Sequence, residues 1–267
     1  MQPAVASLFR YPVKSMMGEE LNSTYVTGRG LYGDRAFALV DGATGKIASA
    51  KNPRKWPSLF AFRAVYATPV QPDRQLGAVR ITFPDGTSAT SEQPEIDAAL
   101  SGVLGTAVTL RSVPPALPEL EEYWPDMDGL NHRDAVTNEA MPASTFFDCA
   151  QVHILTTATL AALQRLHPEG RIEVRRFRPN VVVTMPGRSD FADDEWVGKT
   201  LAIGSSVRVR VTGPCPRCVM TTLAQGDLPH DNGILRTAAR HNGGHVGVYA
   251  EVITGGAVHI GDAVTVA

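Results

Sequence analysis

Glycine and proline recur along the whole chain without forming a low-complexity tract, 24 and 19 of them among 267 residues. Such punctuation leaves room for many turns and short strands and for few long regular segments. Val5 to Arg10, Leu21 to Thr27, Asp34 to Val40, Lys46 to Ala50 and Leu59 to Tyr66 read as strands. Val79 to Phe83 reads as the partner of Thr87 to Thr90 across Pro84-Asp85-Gly86. Later candidates are Asn180 to Thr184, Leu201 to Ile203, Val207 to Val211, Val219 to Leu223, Val246 to Ile253 and Val258 to Val266. Helical spacing is confined to Ile96 to Leu104, to Asp231 to Arg240, and to a segment capped by Thr156 or Thr157 with Leu160, Leu163 and Leu166 on one face. Strands outnumber helices and no regular βαβ alternation appears, which predicts a mainly β, α+β fold rather than a doubly wound sheet.

Residues 113–130 change character. Pro114, Pro115, Pro118 and Pro125 alternate with Glu119, Glu121, Glu122, Asp126 and Asp128. Four prolines leave little room for regular structure, so the segment is expected to connect two domains, 1–118 and 119–267.

Charge and hydropathy exclude partners. Basic and acidic residues number 25 and 27, a net charge of -2, whereas a dedicated nucleic-acid-binding domain is usually strongly basic. No apolar run approaches the roughly 18 residues of a membrane span. The N-terminus lacks the basic-then-apolar order of a secretory signal, and three cysteines make no disulfide framework. A cytoplasmic protein is expected, with no nucleic-acid or membrane partner.

Two familiar patterns fail on context. Gly28-Arg29-Gly30-Leu31-Tyr32-Gly33 has dinucleotide-binding spacing, but a strand candidate follows where a helix N-terminus is needed. It reads as a turn. Among the histidines, only His241 and His245 have ligand spacing, and Gly243-Gly244 breaks the helix that would align them.

Two others carry chemistry. Cys215-Pro216-Arg217-Cys218 admits a structural zinc, which lacks a second ligand pair, or a redox dithiol, which needs a helix N-terminus. It also admits a single thiolate ligand for a soft metal, with Arg217 lowering the thiol pKa, or two core cysteines beside a turn proline. Arg175, Arg176 and Arg178 precede a buried strand candidate, where guanidinium groups suit bidentate phosphate or carboxylate binding. A solvated charge run is the plainer reading. Pro179 predicts an extended Arg178.

Four motifs then occur in order: Tyr11-Pro12-Val13-Lys14-Ser15, Gly30-Leu31-Tyr32-Gly33-Asp34-Arg35, Arg176-Phe177-Arg178-Pro179-Asn180 and Cys215-Pro216-Arg217-Cys218. With them the sequence resembles MOSC-domain proteins carrying an N-terminal MOSC β-barrel domain, among them the mitochondrial amidoxime-reducing component and bacterial YcbX-type proteins. The resemblance implies a barrel-like N-terminal domain, a β-barrel MOSC domain and a molybdenum cofactor (Mo-molybdopterin). Cys218 matches the catalytic thiolate ligand of molybdenum, the pyranopterin dithiolene and oxo groups supplying the rest. Lys14, Ser15 and Arg35 match cofactor-binding residues of the first domain, and Arg178 and Asn180 those of the second. Arg217, Thr221 and Thr222 flank the ligand and join the cofactor-binding set. Cys149 stands where a small residue is expected and is read as structural.

The implied activity is a molybdenum-dependent oxidoreductase that reduces N-oxygenated (N-hydroxylated) small molecules. The chain ends without the ferredoxin-like domain of some bacterial relatives, so an external electron-donor protein or reductase is expected. Leu223 to His230 differs from the Val-Asp-Pro-x-Thr-Gly stretch of the amidoxime reducers. MOSC-like domains also occur in cofactor sulfuration, so a non-redox carrier of sulfur or of the molybdenum cofactor is the alternative.

Overall fold

The computed structural model describes residues 2–127 and 132–267; the acidic residue Asp128 of the connecting segment lies outside them. Strands dominate, with four α-helices among the described residues: Ile96–Leu104, Thr157–Leu166, Val174–Phe177 and Asn232–Asn242. The mixed α+β, strand-rich expectation holds.

The expected barrels are a correction, because no strand ladder among the described residues closes on itself. The largest sheet is open and has eight strands, in the order Val264–Val266, Thr200–Ile203, Val207–Pro216, His245–Thr254, Val152–Thr156, Val181–Thr184, Ala4–Arg10 and Glu19–Leu21. An isolated bridge between Ala4 and Ala263 is its nearest approach to closure. Turn residues keep the other strands short, and they form ribbons of only two or three.

Most of the large sheet is antiparallel, but Val152–Thr156 lies parallel to Val181–Thr184. A parallel pair needs a crossover, which Thr157–Leu166 supplies. Thr156 caps that helix, its hydroxyl accepting from the Thr159 N–H. Leu8, Ile154, Val183, Val209 and Val248 fill the core beneath the sheet. A second core around Trp56, Phe62, Ile81 and Leu100 is built from the N-terminal half, with Met220 of the C-terminal half packed into it. There Val79–Thr82 pairs with Ser88–Thr90 across the expected turn. Lys46 to Ala50 makes only isolated bridges, from Ile47 to Val40 and to Leu120, and no full return strand.

Three segments near the site differ from the sequence reading. Glu119–Trp124 and Ala135–Ala140 form an unbroken antiparallel hairpin inside the proline-rich region. Prolines 114, 115, 118 and 125 all fall outside its ladder, so they remove no cross-strand hydrogen bond. Val207 to Val211 continues to Pro216, and register shifts at Val211/Gly213 and Pro214/Pro216 accommodate the prolines. Val219–Thr222 is a 3-10 turn, not a strand.

Candidate functional site

The irregular end of strand Val207–Pro216 sends Cys215 into the interior and leaves Cys218 half-buried on the wall of a cavity of about 420 Å³. Arg217 donates from Nη1 to Cys215 Sγ (2.8 Å) and from Nη2 to the Phe177 carbonyl (2.9 Å). The expected influence of Arg217 therefore falls on Cys215. Burial raises the Cys215 pKa, but Arg217 and His153, with hydrogen bonds from His153 and Tyr249, outweigh it and bring the thiol below its usual range. Cys218 moves the other way: burial and the Glu122 carboxylate push it up to about 11, against Lys51 and Arg217. Thr221 and Thr222 are buried behind Cys218, their hydroxyls donating to the Cys218 and Val219 carbonyls (3.1 and 2.8 Å). They brace the turn and do not line the cavity.

The three arginines ahead of Pro179 separate. Arg175 pairs with Glu173 and Asp227 (both 2.7 Å) at the surface. Arg176 is fully buried and donates only to backbone carbonyls, those of Arg171, Thr221, Leu223 and Pro229. Arg178 enters the cavity, stacked over the Tyr11 ring at 4.1 Å. Its backbone is left-handed (φ 54, ψ 48), not extended, because it terminates helix Val174–Phe177 with its N–H on the Val174 carbonyl. Proline bars the residue before it from the right-handed helical region but does not dictate which alternative the chain takes. Burial lowers the Arg178 pKa to about 10 despite the favourable Tyr11.

Asp34, which the sequence reading did not single out, ties the motifs together. It accepts the Tyr11 N–H (2.7 Å) and the Asn180 side-chain amide (3.0 Å), and it pairs with Arg35. Burial opposes the Arg35 charge, but Asp34 reverses that and raises its pKa. Asn180 also accepts the His153 N–H (3.1 Å). The only sequence signal for Asp34 was its place inside the Gly30-to-Arg35 motif. The turn reading of the preceding glycines holds: Gly33 has φ 84, and a Cβ there would meet the Tyr66 ring at 2.8 Å.

Arg35, Arg178, Asn180, Arg217 and Cys218 therefore line one cavity. Lys14 and Ser15 are buried outside it. Lys14 Nζ donates to the Phe146 carbonyl (3.0 Å) and pairs with Asp148, which does line the cavity. Ser15 Oγ accepts the Ala50 N–H (3.1 Å). Ser15, Arg35 and Arg178 are three of the five non-glycine residues with positive φ among those described. Such strain costs roughly 1–3 kcal/mol per residue and gathers at functional sites.

Lys51, Glu122, Glu139 and Asp148 also line the cavity and were not anticipated. Lys51 pairs with Glu122 (3.0 Å). Burial works against the Lys51 ammonium, yet Asp148, Cys218 and Glu122 together raise its pKa. Cys149, expected to be structural, is exposed and lines the cavity. No group of three or more His, Cys, Asp or Glu among the described residues could hold a metal ion. Arg178 Nη1 and Arg217 Nε are buried without a hydrogen-bond partner. Orphaned cationic donors beside a thiol fit an anionic group that carries a soft metal.

The chain is a MOSC-domain protein: the MOSC domain matches residues 142–265, and the MOSC N-terminal beta barrel domain matches residues 2–113. It is similar to mitochondrial amidoxime reducing component 2 of Bos taurus, 37% identical over 99 residues, covering 35% of this chain and 28% of that protein. The Macaca fascicularis counterpart is 27% identical over 231 residues, 82% of this chain and 66% of that protein. Molybdenum cofactor sulfurase of Oryza sativa subsp. japonica is 25% identical over 252 residues, 82% of this chain and 28% of that protein. The chain thus spans about two thirds or less of the length of these relatives. No helix among the described residues is long and apolar enough to cross a membrane.

Proposed function

We propose that the cavity binds the molybdenum cofactor, and that the loaded chain reduces N-oxygenated small molecules with electrons from an external donor protein or reductase. The observation that carries this is the meeting of Cys218 with Arg178 and Arg217, whose buried Nη1 and Nε lack partners. Cys218 would hold the metal; Arg178, Arg217 and Arg35 would bind the phosphate-bearing pterin, where guanidinium forks suit phosphate. When bound, the cofactor supplies the redox chemistry at molybdenum, and the protein supplies orientation and electrostatics.

The chain's own residues prepare that environment. Asp34 fixes Arg35 and Asn180. Cys215 and the Phe177 carbonyl hold Arg217 by its two terminal nitrogens, leaving Nε for the ligand. Lys14 and Lys51 neutralise Asp148 and Glu122 in the wall, so that these carboxylates do not repel an anionic group.

The deciding measurement is molybdenum content after expression in a cofactor-competent host. Wild-type protein should carry the metal, Cys218→Ala should lose it, and Cys215→Ala should keep it. Wild-type protein without molybdenum would overturn the reading. The similarity to a molybdenum cofactor sulfurase favours one alternative, a non-redox carrier of sulfur or of the cofactor. Metal-loaded protein that fails to reduce a model N-hydroxylated substrate with an artificial donor would select the carrier.

A further inference from the structure

Tyr11 opens the first of the four motifs, and its ring lies against two of the arginines that line the cavity. The Arg178 guanidinium carbon is 4.1 Å from the ring centroid and that of Arg35 is 4.9 Å from it. Tyr11 itself is buried and does not line the cavity. It therefore acts on a ligand there only through its neighbours.

The arginines of the site are held in different ways. Arg35 pairs with Asp34. Arg217 has two of its three side-chain nitrogens tied to the protein, and Arg176 has all three. Among the described residues, the Arg178 guanidinium makes no hydrogen bond and no ion pair, although its Nη1 is buried. What lies against it is aromatic: the Tyr11 ring and, at 5.4 Å, the Phe60 ring. A guanidinium held by ring faces commits none of its N–H groups to the protein. The Tyr11 ring is fixed in turn. Asp34 accepts the Tyr11 N–H (2.7 Å), and the Tyr11 carbonyl accepts the Arg35 N–H (2.8 Å). Gly18 leaves space for the ring, because a Cβ there would come within 2.7 Å of Tyr11 Cδ1. The Tyr11 hydroxyl has no hydrogen-bond partner, which leaves the ring face as the part that meets the arginines.

We propose that Tyr11 is a positioning residue for the cavity: the face of its ring, rather than its hydroxyl, orients the Arg178 guanidinium and leaves its N–H groups to an anionic ligand, a phosphate group. Arg35 lies on the same ring with its charge compensated by Asp34, so it places a second guanidinium on the wall without leaving a second unpaired charge. The identity of the ligand rests on the cofactor reading; the contact between ring and guanidinium does not.

The test is calorimetric titration of the full chain, purified from a host that makes no molybdenum cofactor, with inorganic phosphate. The molybdenum content of each variant from a cofactor-competent host is measured beside it. Wild type should bind phosphate, and Arg178→Gln should abolish that binding. Tyr11→Phe should bind phosphate as tightly as wild type and keep its molybdenum, because the ring face survives. Tyr11→Leu should weaken phosphate binding about tenfold or more and lower the molybdenum content. Replacing Tyr11 by pentafluorophenylalanine keeps the shape of the ring but withdraws the negative charge from its face. It should weaken phosphate binding as leucine does, and it separates positioning from packing if Tyr11→Leu does not fold. The role of the ring is overturned by wild type that binds no phosphate, by binding indifferent to Arg178→Gln, by loss of binding in Tyr11→Phe, or by a fluorinated variant that binds as tightly as wild type. Wild type from the competent host without molybdenum overturns the cofactor reading instead; the phosphate titrations then decide the role of Tyr11 on their own.

Discussion

Arg178 concentrates opposing demands in one residue. Its backbone is left-handed, its guanidinium is buried, and Nη1 has no partner. A left-handed non-glycine residue costs roughly 1–3 kcal/mol, and an unpartnered buried donor a similar amount. Arg178→Gly should therefore unfold in urea at a denaturant concentration no lower than wild type while losing bound molybdenum. A large loss of stability would mean that the stacking on Tyr11 outweighs the strain. Asp148 shows the opposite economy. Burial favours its neutral form, but Lys14 and Lys51 hold its pKa below the usual carboxylate range. A carboxyl with a depressed folded-state pKa stabilises most above its unfolded value, about 4, and that contribution is lost as pH falls. The stability difference between wild type and Asp148→Asn, followed by urea unfolding, should be constant from neutral pH to about pH 5 and shrink below about pH 4. A difference that grows on acidification would refute the assignment. The sequence named Arg178 but not its conformation, because φ was decided by the helix that ends there.

At the scale of elements, the turn carrying Cys218 depends on a side chain from another segment. Arg176 reaches the carbonyls of Thr221, Leu223 and Pro229 and so clamps the chain on the C-terminal side of the metal-ligand candidate. Arg176→Leu should cost about 1–3 kcal/mol through carbonyls left without a donor and speed hydrogen exchange at residues 219–223. Unchanged exchange there would show that the 3-10 turn stands on its own bonds. In sequence, nothing assigned Arg176 a role apart from its neighbours Arg175 and Arg178; the path of helix Val174–Phe177 sends one to the surface, one to the interior and one to the cavity. The hairpin Glu119–Trp124/Ala135–Ala140 was misread for a related reason. Counting prolines predicted a connecting segment with little regular structure, but their positions outside the ladder leave every paired N–H in place.

For the whole molecule, Asp34 is the joint. It joins Tyr11 and Arg35 of the N-terminal half to Asn180 of the C-terminal half, in a chain whose first strand also pairs with Val181–Thr184. Asp34→Asn should cost about 3–5 kcal/mol, the usual consequence of leaving a buried charge unpaired, and should lower cofactor occupancy along with stability. Restoration of both by adding Arg35→Met would confirm the stability loss as an uncompensated Arg35, whereas restored stability without occupancy would assign Arg35 to ligand binding. The sequence alone determined the strand-rich class, the three longest helices near their observed limits and the order of four motifs, because hydrophobic periodicity, capping residues and turn residues act over a few neighbours. Tertiary structure alone decided that the sheet is open, that Thr221 and Thr222 brace a turn while Arg178 enters the cavity, and that Arg217 bonds Cys215. Those outcomes depend on burial and on hydrogen bonds between residues as far apart as Asp34 and Asn180, whose energies no local pattern encodes.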